Sequence, residues 1–434
     1  MSTVRTSPRP SLEGFDPLSQ EFFRDPYPIL AKARSEQPVF FYEPLNFWVI
    51  TRYEDVARLA PDYETFTSNA GVVPIPEQFD ADEIGRFFTE SFMSINPPRH
   101  TASRKLAQKA FTRRRVADLE PLLRRTAHEL IDGFAADGSA DIMSQYCYQV
   151  SLRGVTSLIG LPQEDLALFS SWAQDLPALV SPEAMATDDG NDHSGPAKPM
   201  PEQERLERWG RVAEARRYLG RFVDDRLKDP RDDFTSAMLH ATVDGNTAMS
   251  QSEAITHLNE MIAAGTETTA NGIAHIVMQL DELPDHRARL RADPRLWEKA
   301  VEEGLRRRPV AIGMFRVATR DVEVGGQQIA KGDVVCLSYA SVGLDEDQYA
   351  CPMDFDLERE RTSEDLTFGK GRHFCLGAVL AKAEVRIGLE VLYERLPDIR
   401  VVAGQDLQYQ PAMTAFMLRR LETTWTRPAP ARRV

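Results

Sequence analysis

One short loop near the C-terminus constrains this chain more than any other segment, because it sets Cys375 between glycines directly before a helical pattern. The loop runs from Phe368 to Gly377, and the segment 378–396 after it has helical periodicity. Glycines permit the positive φ angles of a tight loop and let backbone amides approach a ligand closely. The sulfur would lie near a helix N-terminus, where the helix dipole favours negative charge. The pattern therefore indicates a cysteine thiolate suited to ligating iron.

The ten residues of this loop resemble the haem-binding loop of the cytochrome P450 family, Phe-Gly-x-Gly-x-His-x-Cys-x-Gly. All six fixed positions are matched, by Phe368, Gly369, Gly371, His373, Cys375 and Gly377. The alternative to a haem ligand is a buried structural cysteine in a Gly-rich turn. Such a cysteine would not require all six of these positions to match. The resemblance implies haem b as the cofactor, Cys375 as the ligand to its iron, and Phe368, Gly369 and Gly377 as residues around it. It extends over nearly the whole chain, from about Phe15 to Trp425.

Composition favours one large domain with a sizeable core. The chain has 434 residues, 42% of them hydrophobic, and no Ser/Gly-rich or Pro-rich linker divides it. The formal net charge of −14 argues against nucleic acid as a partner. The four cysteines are widely spaced and form no CxxC pair, so neither a disulfide framework nor a zinc site is expected. A reducing, intracellular setting is favoured.

The N-terminus predicts neither a secretion signal nor a membrane anchor. Residues 1–10 are polar, and no run of 18 apolar residues occurs in the sequence. We therefore expect a cytoplasmic protein that does not bind membranes. Residues 1–14 are expected to be a disordered N-terminal segment, 15–427 the haem-thiolate domain, and 428–434 a C-terminal tail.

Apolar spacing predicts a mainly α fold with a small β region, the fold that the resemblance also implies. Helices are predicted at 27–35, across 119–218 and 233–283, and at 294–307; strands are predicted at 39–42, 47–51, 322–325, 328–329 and 333–337 and within 400–425. A stretch rich in Asp, Gly and Pro interrupts the first long helical run between 181 and 203. The resemblance places this stretch over the substrate entrance as a mobile lid, and the alternative is a surface insertion.

A second motif, at 264–269, lies inside a predicted long helix. Gly265 costs about 1 kcal/mol relative to alanine in a helix interior, which indicates that something approaches the backbone closely there. Thr268 can donate a hydrogen bond back to a carbonyl and open the helix, and Glu267 is a carboxylate able to relay protons. The segment resembles the family's oxygen-activation motif, Ala-Gly-x-Asp/Glu-Thr. The resemblance implies that Ala264 and Gly265 border the cofactor, that Thr268 steadies bound oxygen and that Glu267 helps to deliver protons.

Glu260 departs from the family pattern. It lies four residues before Ala264 and eight before Thr268, so the three side chains share one helical face. The family usually has an apolar residue at this position, bordering the substrate pocket. Two interpretations stay open: a carboxylate turned to solvent or paired with an arginine, and a polar anchor for a substrate hydroxyl or amine.

Four residues match the family's partners for the two haem propionates. His100 and Arg104 lie four apart in a helical segment, Arg316 follows Phe315, and His373 belongs to the cysteine loop. The alternative for the His–Arg pair is an ordinary solvated helix face.

Glu303 and Arg306 place opposite charges three residues apart on a helix. Such a pair is uninformative alone, since surface pairs are common and weak. The resemblance implies an interior pair completed by Arg359, with a role in folding around the haem and none in the chemistry.

A basic cluster stands out on this acidic protein: Arg104, Lys105, Lys109, Arg113, Arg114, Lys370 and Arg372. One interpretation is solvated helix charge. The other is a docking surface for an acidic electron carrier, steered by long-range attraction. Because the chain has no flavin or iron–sulfur module of its own, we expect a ferredoxin-type donor to dock on this proximal face.

The motifs together indicate a haem-thiolate monooxygenase that uses O2 and electrons from an external ferredoxin and reductase. The expected reaction is hydroxylation or oxidative dealkylation of a small, largely apolar organic molecule. A peroxide-driven peroxygenase and a non-catalytic haem sensor or carrier are the alternatives, and the intact Glu–Thr pair speaks against both. By resemblance, the substrate contacts are Ala264, Ile312, Met314, Met417 and Leu418, with Glu260 as a further candidate.

Overall fold

Helices dominate the structure, a computed structural model that describes residues 9–68, 75–179, 200–243, 246–247, 249–360 and 364–427. The helices in these ranges are α1 Gln20–Arg24, α2 Tyr27–Glu36, α3 Tyr53–Leu59, α4 Ala81–Glu90, α5 Arg99–Ala110, α6 Arg113–Asp132, α7 Tyr148–Ile159, α8 Leu166–Leu179, α9 Glu202–Lys228, α10 Phe234–Leu239, α11 Gln251–Asp281, α12 Pro284–Ala292, α13 Trp297–Arg307, α14 Tyr339–Val342 and α15 Ala378–Arg395. The strands are β1 Val39–Tyr42, β2 Phe47–Ile50, β3 Phe66–Thr67, β4 Ser139–Asp141, β5 Thr242–Val243, β6 Asn246–Thr247, β7 Met314–Ala318, β8 Val322–Val324, β9 Gln327–Ile329, β10 Val334–Leu337, β11 Arg400–Val401, β12 Tyr409–Gln410, β13 Met417–Leu418 and β14 Glu422–Thr424. The predicted mainly α fold with a small β region is confirmed.

Helix α11 is the central element of the core. It begins with a capping box, in which the Ser250 hydroxyl accepts from the Glu253 amide and the Glu253 carboxylate accepts from the Ser250 amide. Its residues 269–277 are all buried, and α7, α8, α9 and α15 pack around it. A helix with apolar and small residues on most of its faces can be enclosed in this way.

A five-stranded sheet, in the order β1-β2-β10-β7-β3, forms a second layer. Strand β10 runs parallel to β2 and antiparallel to β7, so Arg316 of β7 lies opposite Val335. The turn between β1 and β2 uses Asn46 in the left-handed conformation, with φ of 53°. The sheet fixes the position of Arg316 beside the helical core.

Three parts of the predicted organisation need correction or fall outside the description. Packing begins by Pro10, because its carbonyl accepts from the Phe41 amide at 2.7 Å and Leu12 is buried, so 9–14 is not a free segment. Within the run predicted as helical, β4 pairs with β14 instead. Residues 181–199 of the predicted lid lie outside the described part of the chain. The end of the predicted range is helical, because α9 begins at Glu202. Residues 1–8 and 428–434 also lie outside the described part.

The charged cluster around Glu303 is an interior one, as predicted from the resemblance. Glu303 accepts two hydrogen bonds from Arg306, at 2.7 and 2.8 Å, and one from Arg359 at 3.0 Å. The two arginines also donate to the carbonyls of Gly343 and Ala350. Burial alone would raise the pKa of Glu303, but the hydrogen bonds from Arg306 and the amide of residue 356 hold it below its usual range.

Replacing Glu303 by glutamine is expected to destabilise the fold by about 3–5 kcal/mol, because two cations would stay buried without their counter-charge. Urea unfolding of Glu303→Gln measures this loss. Glu358→Gln is the matched control, since Glu358 pairs with Arg289 and Lys299 at the surface and its loss should cost less than about 1 kcal/mol. Equal effects of the two substitutions would contradict the assignment.

Candidate functional site

The cysteine loop has the geometry that its glycines predicted. The Cys375 amide donates to the Phe368 carbonyl at 2.8 Å, and α15 begins three residues later with Gly377 at its N-cap. Gly371 has φ of 72°, and a Cβ there would lie 2.7 Å from Cβ of Pro61. A Cβ on Gly377 would lie 4.0 Å from Sγ of Cys375. Only glycine fits at 371, whereas at 377 a Cβ would make only an ordinary contact with the sulfur.

Two opposing effects act on the Cys375 thiol. Burial raises its pKa, while hydrogen bonds from the amides of Gly377 and Ala378, and the charge of Arg104, lower it. The amides at the helix N-terminus therefore stabilise the thiolate as expected, but by less than burial destabilises it. The anion needs a further positive partner to persist, which a bound metal ion supplies.

The structure brings together all four residues predicted to bind propionates. The rings of His100, on α5, and His373 have centroids 4.4 Å apart. Burial, followed by the charge of Arg104, lowers the pKa of His100 to about 4. Burial, followed by the charge of Arg316, lowers the pKa of His373 to about 3. Four cationic or titratable groups thus converge from α5, β7 and the cysteine loop.

This convergence fits a ligand with two carboxylates. His100 is 1% exposed, and neither ring nitrogen has a hydrogen-bond partner. Arg316 is 6% exposed and donates to the carbonyl of its neighbour Phe315. Among the described residues, neither Arg104 nor Arg316 forms an ion pair with a carboxylate. Since buried polar groups are almost always paired, the cluster matches the propionates of a haem whose iron Cys375 would ligate.

The motif of α11 lies in the middle of a continuous helix, which shows no opening at Thr268. The Thr268 hydroxyl donates to the Ala264 carbonyl at 2.5 Å, the hydrogen bond that the sequence predicted. Ala264 is exposed although it lies in mid-helix, so it faces open space. The close approach predicted at Gly265 comes from α7: a Cβ there would lie 3.0 Å from Cγ2 of Val155. Gly265 thus allows α7 and α11 to pack closely, and its predicted place beside the cofactor is a separate role.

Glu267 faces a small pocket of about 90 Å³ beside Gln174, Gln410 and Met417. Burial raises the pKa of its carboxyl to about 7. Tyr148 of α7 contributes to the same region, since it lies within hydrogen-bond reach of Gln174 and senses the charge of Glu267. Sequence reasoning missed Tyr148 and Gln174, because neither belongs to a local motif.

Glu260 is neither turned to solvent nor paired with an arginine. Its carboxylate accepts from the Ser91 hydroxyl at 2.9 Å and from the amides of Phe92 and Met93 at 3.0 and 3.2 Å. His257 lies one turn before it, with Nδ1 3.6 Å from Oε2. The role of Glu260 as a substrate anchor stays a prediction.

The remaining predicted substrate contacts differ in exposure. Met417 faces the pocket beside Glu267, and Met314 is half-buried at the start of β7. Ile312 and Leu418 are 5% and 3% exposed and pack in the main core. Met314 and Met417 are therefore more open than Ile312 and Leu418.

Exposed apolar side chains accompany two cations of the predicted basic cluster, Lys370 and Arg372, in the segment around the cysteine. Phe374 and Val379, next to the cysteine, are 43% and 40% exposed. The exposed cations of the cluster are Lys105, Lys109, Arg113, Arg114 and Arg372, with Lys370 half-buried. Arg104 instead turns inward and donates to the Phe374 carbonyl. Exposed apolar and basic side chains of this kind are suited to docking an acidic partner.

Comparison with known proteins decides the family. The family model described as Cytochrome P450 matches residues 212–396. Cytochrome P450 107B1 of Saccharopolyspora erythraea is 32% identical over 98% of this chain and 100% of its own length. The chain belongs to the cytochrome P450 family. Vitamin D(3) 25-hydroxylase of Pseudonocardia autotrophica is 30% identical over 95% of this chain and 96% of that protein.

Solved P450 structures extend the likeness to the whole fold. Cytochrome P450 CYP109Q5 from Chondromyces apiculatus superposes with a TM-score of 0.82 at 31% identity, over 96% of this chain and 99% of that one. CalO2 superposes with a TM-score of 0.83 at 27% identity over the same shares. The protein is thus a P450 monooxygenase, an oxidoreductase whose cofactor is haem b. Among the described residues, no helix is long and apolar enough to cross a membrane.

Glu267 should make the free energy of unfolding of this P450 fall as pH rises. The pKa is about 7 in the folded protein, against 4.5 for the free side chain. The unfolded state therefore binds fewer protons between these values, and stability falls as pH rises through this window. In Glu267→Gln this fall should be smaller by about 2–3 kcal/mol between pH 5 and pH 8.

Urea unfolding at the two pH values checks this expectation. Glu394→Gln, at an exposed position of α15, is the control and should leave the pH dependence unchanged. A wild-type pH dependence retained in Glu267→Gln would contradict the burial of this carboxyl.

Proposed function

We propose that this P450 inserts one oxygen atom from O2 into a small, largely apolar organic molecule, by hydroxylation or oxidative dealkylation, with electrons from an external ferredoxin-type carrier. The observation that carries the proposal is the intact Glu267–Thr268 pair in a chain that also has the cysteine loop. Proton delivery is required to cleave O2, whereas peroxide needs less of it and a ligand carrier needs none. Cyclomarin C epoxidase of Salinispora arenicola, 33% identical over 91% of this chain, illustrates that relatives oxidise organic molecules.

In this proposal the cofactor is held from several sides. Cys375 is the ligand to the iron, and His100, Arg104, Arg316 and His373 hold the propionates. When bound, haem supplies the site that accepts electrons and activates O2, and a cysteinate ligand favours O–O cleavage. Arg104 and Arg316 would find in the propionates the counter-charges that the described residues do not give them, so cofactor binding would be coupled to the fold of the loop.

Protons reach the site through α11. Glu267 titrates near pH 7, so it can release and regain a proton at little cost. Its pocket is polar on one side, and its volume of about 90 Å³ is large enough for water. Thr268 donates its hydroxyl to the Ala264 carbonyl, beside the open space that Ala264 faces.

The substrate is proposed to lie against Ala264, Met314 and Met417. These side chains are small or flexible and apolar, which favours an apolar ligand. Ile312 and Leu418 would shape the pocket from behind. We place the protein in the cytoplasm, a reducing compartment that suits its four free cysteines.

Turnover with a ferredoxin, its reductase, NADPH and ¹⁸O2 tests the proposal. A hydroxylated product should contain one labelled oxygen atom; after dealkylation the label should be in the released aldehyde and not in the dealkylated product. Product formed with hydrogen peroxide alone, and none with O2, would make the protein a peroxygenase. Haem binding without product from a library of apolar compounds, despite NADPH consumption, would favour a sensor or carrier.

Reversing two charges on the docking surface should weaken binding of the carrier. In the double variant Arg113→Glu/Arg114→Glu, we expect the KM for ferredoxin to rise by about tenfold or more, because like charges then face each other. The value of kcat at saturating ferredoxin should change little, and the wild-type rate should fall with rising salt.

Arg217→Glu is the matched control, since Arg217 is exposed on α9 outside the basic cluster. Its KM for ferredoxin should stay at the wild-type value. Equal effects of the control and the double variant, or a rate insensitive to salt, would contradict docking on this surface.

A further inference from the structure

A three-residue segment between α4 and α5 is tied to α11 by a single side chain. Ser91, Phe92 and Met93 present one hydroxyl and two amide donors, and all three donate to the carboxylate of Glu260. The distances are 2.9, 3.0 and 3.2 Å. Both carboxylate oxygens are used, and the Glu260 side chain is 13% exposed. A carboxylate that accepts several donors forms stronger hydrogen bonds than a neutral acceptor does.

Phe92 strengthens this connection through its ring. It stacks on His257 of α11, with centroids 3.5 Å apart and planes 5° from parallel. His257 is 0% exposed, so the stack is part of the interior. The segment therefore contacts α11 at two consecutive turns, one through Phe92 and one through Glu260.

The same segment also contacts the residues proposed to bind the propionates. The backbone of Phe92 lies close enough to the His373 ring to influence its pKa. The Phe92 ring lies edge-on to His100, with centroids 6.4 Å apart. Phe92 thus stands between α11 and two histidines of the cationic cluster, while Met93 beside it is 50% exposed.

We propose that Glu260 is a positioning residue, a latch that holds 91–93 closed over the haem pocket and keeps His100 and His373 in place. The inference rests on the proposed haem site and does not depend on which substrate is oxidised. Releasing the latch frees Phe92 from His257 and His373, so ligands reach the iron faster and haem is retained less firmly. The three donors of the segment occupy three of the roughly four acceptor positions of the Glu260 carboxylate, which leaves little room for a substrate to bind there.

The chemistry of the contact requires a carboxylate. Three donors converge on two acceptor oxygens, and a glutamine would offer one oxygen and direct an NH2 group at the others. An NH2 group in place of Oε2 would leave the part-buried Phe92 amide without its acceptor, and one in place of Oε1 would do the same to the Ser91 hydroxyl, while the Met93 amide keeps the Ser91 oxygen as a second acceptor. Glu260→Gln therefore removes the latch with little change in side-chain volume.

Hydrogen exchange is the first test, on the holoenzyme and on the haem-free protein. In Glu260→Gln the amides of Phe92 and Met93 should exchange about tenfold faster or more. Ser91→Ala removes one donor and should give a smaller change in the same direction. Asp281→Asn is the control: it removes a carboxylate at the far end of α11, where it pairs with Arg400, and should not affect these amides.

Ligand association and haem transfer are the second test. In Glu260→Gln the association rate of a bulky imidazole should rise more than that of carbon monoxide, and haem should pass to apomyoglobin faster. An effect on substrate affinity alone, with exchange and association unchanged, would overturn the latch in favour of a substrate anchor. Failure of the wild-type protein to bind haem would overturn the haem site, and exchange in the haem-free protein would still decide on the latch.

Discussion

Uncompensated positive charge in the interior is the constraint on which this structure depends. Arg104 and Arg316 converge with His100 and His373 beside the half-buried thiol of Cys375. The histidines are neutral near pH 7, so the positive charge belongs to the two arginines, and the described part of the chain offers these arginines no ion pair with a carboxylate. Cations in such a setting are costly unless an anion accompanies them. Haem brings two carboxylates and a metal for the thiolate, so one ligand satisfies both halves of the site.

Two helices position the residues of the site: α15, which follows the cysteine loop, and α11, which carries the motif at 264–268. Helix α15 starts directly after the cysteine loop and packs on α6 and α11. Helix α11 carries Ala264, Glu267 and Thr268, and its capping box fixes where it begins. The ion-pair cluster at Glu303 anchors the segment around 343–359. Because each element is buried against the next, a change at the loop is transmitted to α11 through packed side chains.

The cysteine loop, the motif on α11 and the helix itself could be predicted from residues close together in the sequence. The glycines around Cys375, the motif at Glu267 and Thr268, and the helix periodicity of α11 are all visible within ten to thirty consecutive residues. Long-range pairing was not predictable in this way. The partners of Glu260 lie 167–169 residues away, and the short strand β4 exists only because β14 pairs with it. A three-residue strand has no periodicity of its own, and a glutamate on a helix face does not reveal which backbone amides it binds.

The central claim, a cysteinate bound to haem iron, is tested most directly by the absorption spectrum of the reduced protein under carbon monoxide. Ligation by Cys375 predicts the red-shifted Soret maximum typical of a cysteinate ligand, and its loss in Cys375→Ser while His100 and Arg316 still hold the haem. A Soret band at the unshifted position in the wild-type protein, or a protein that stays colourless when supplied with haemin, would contradict the account.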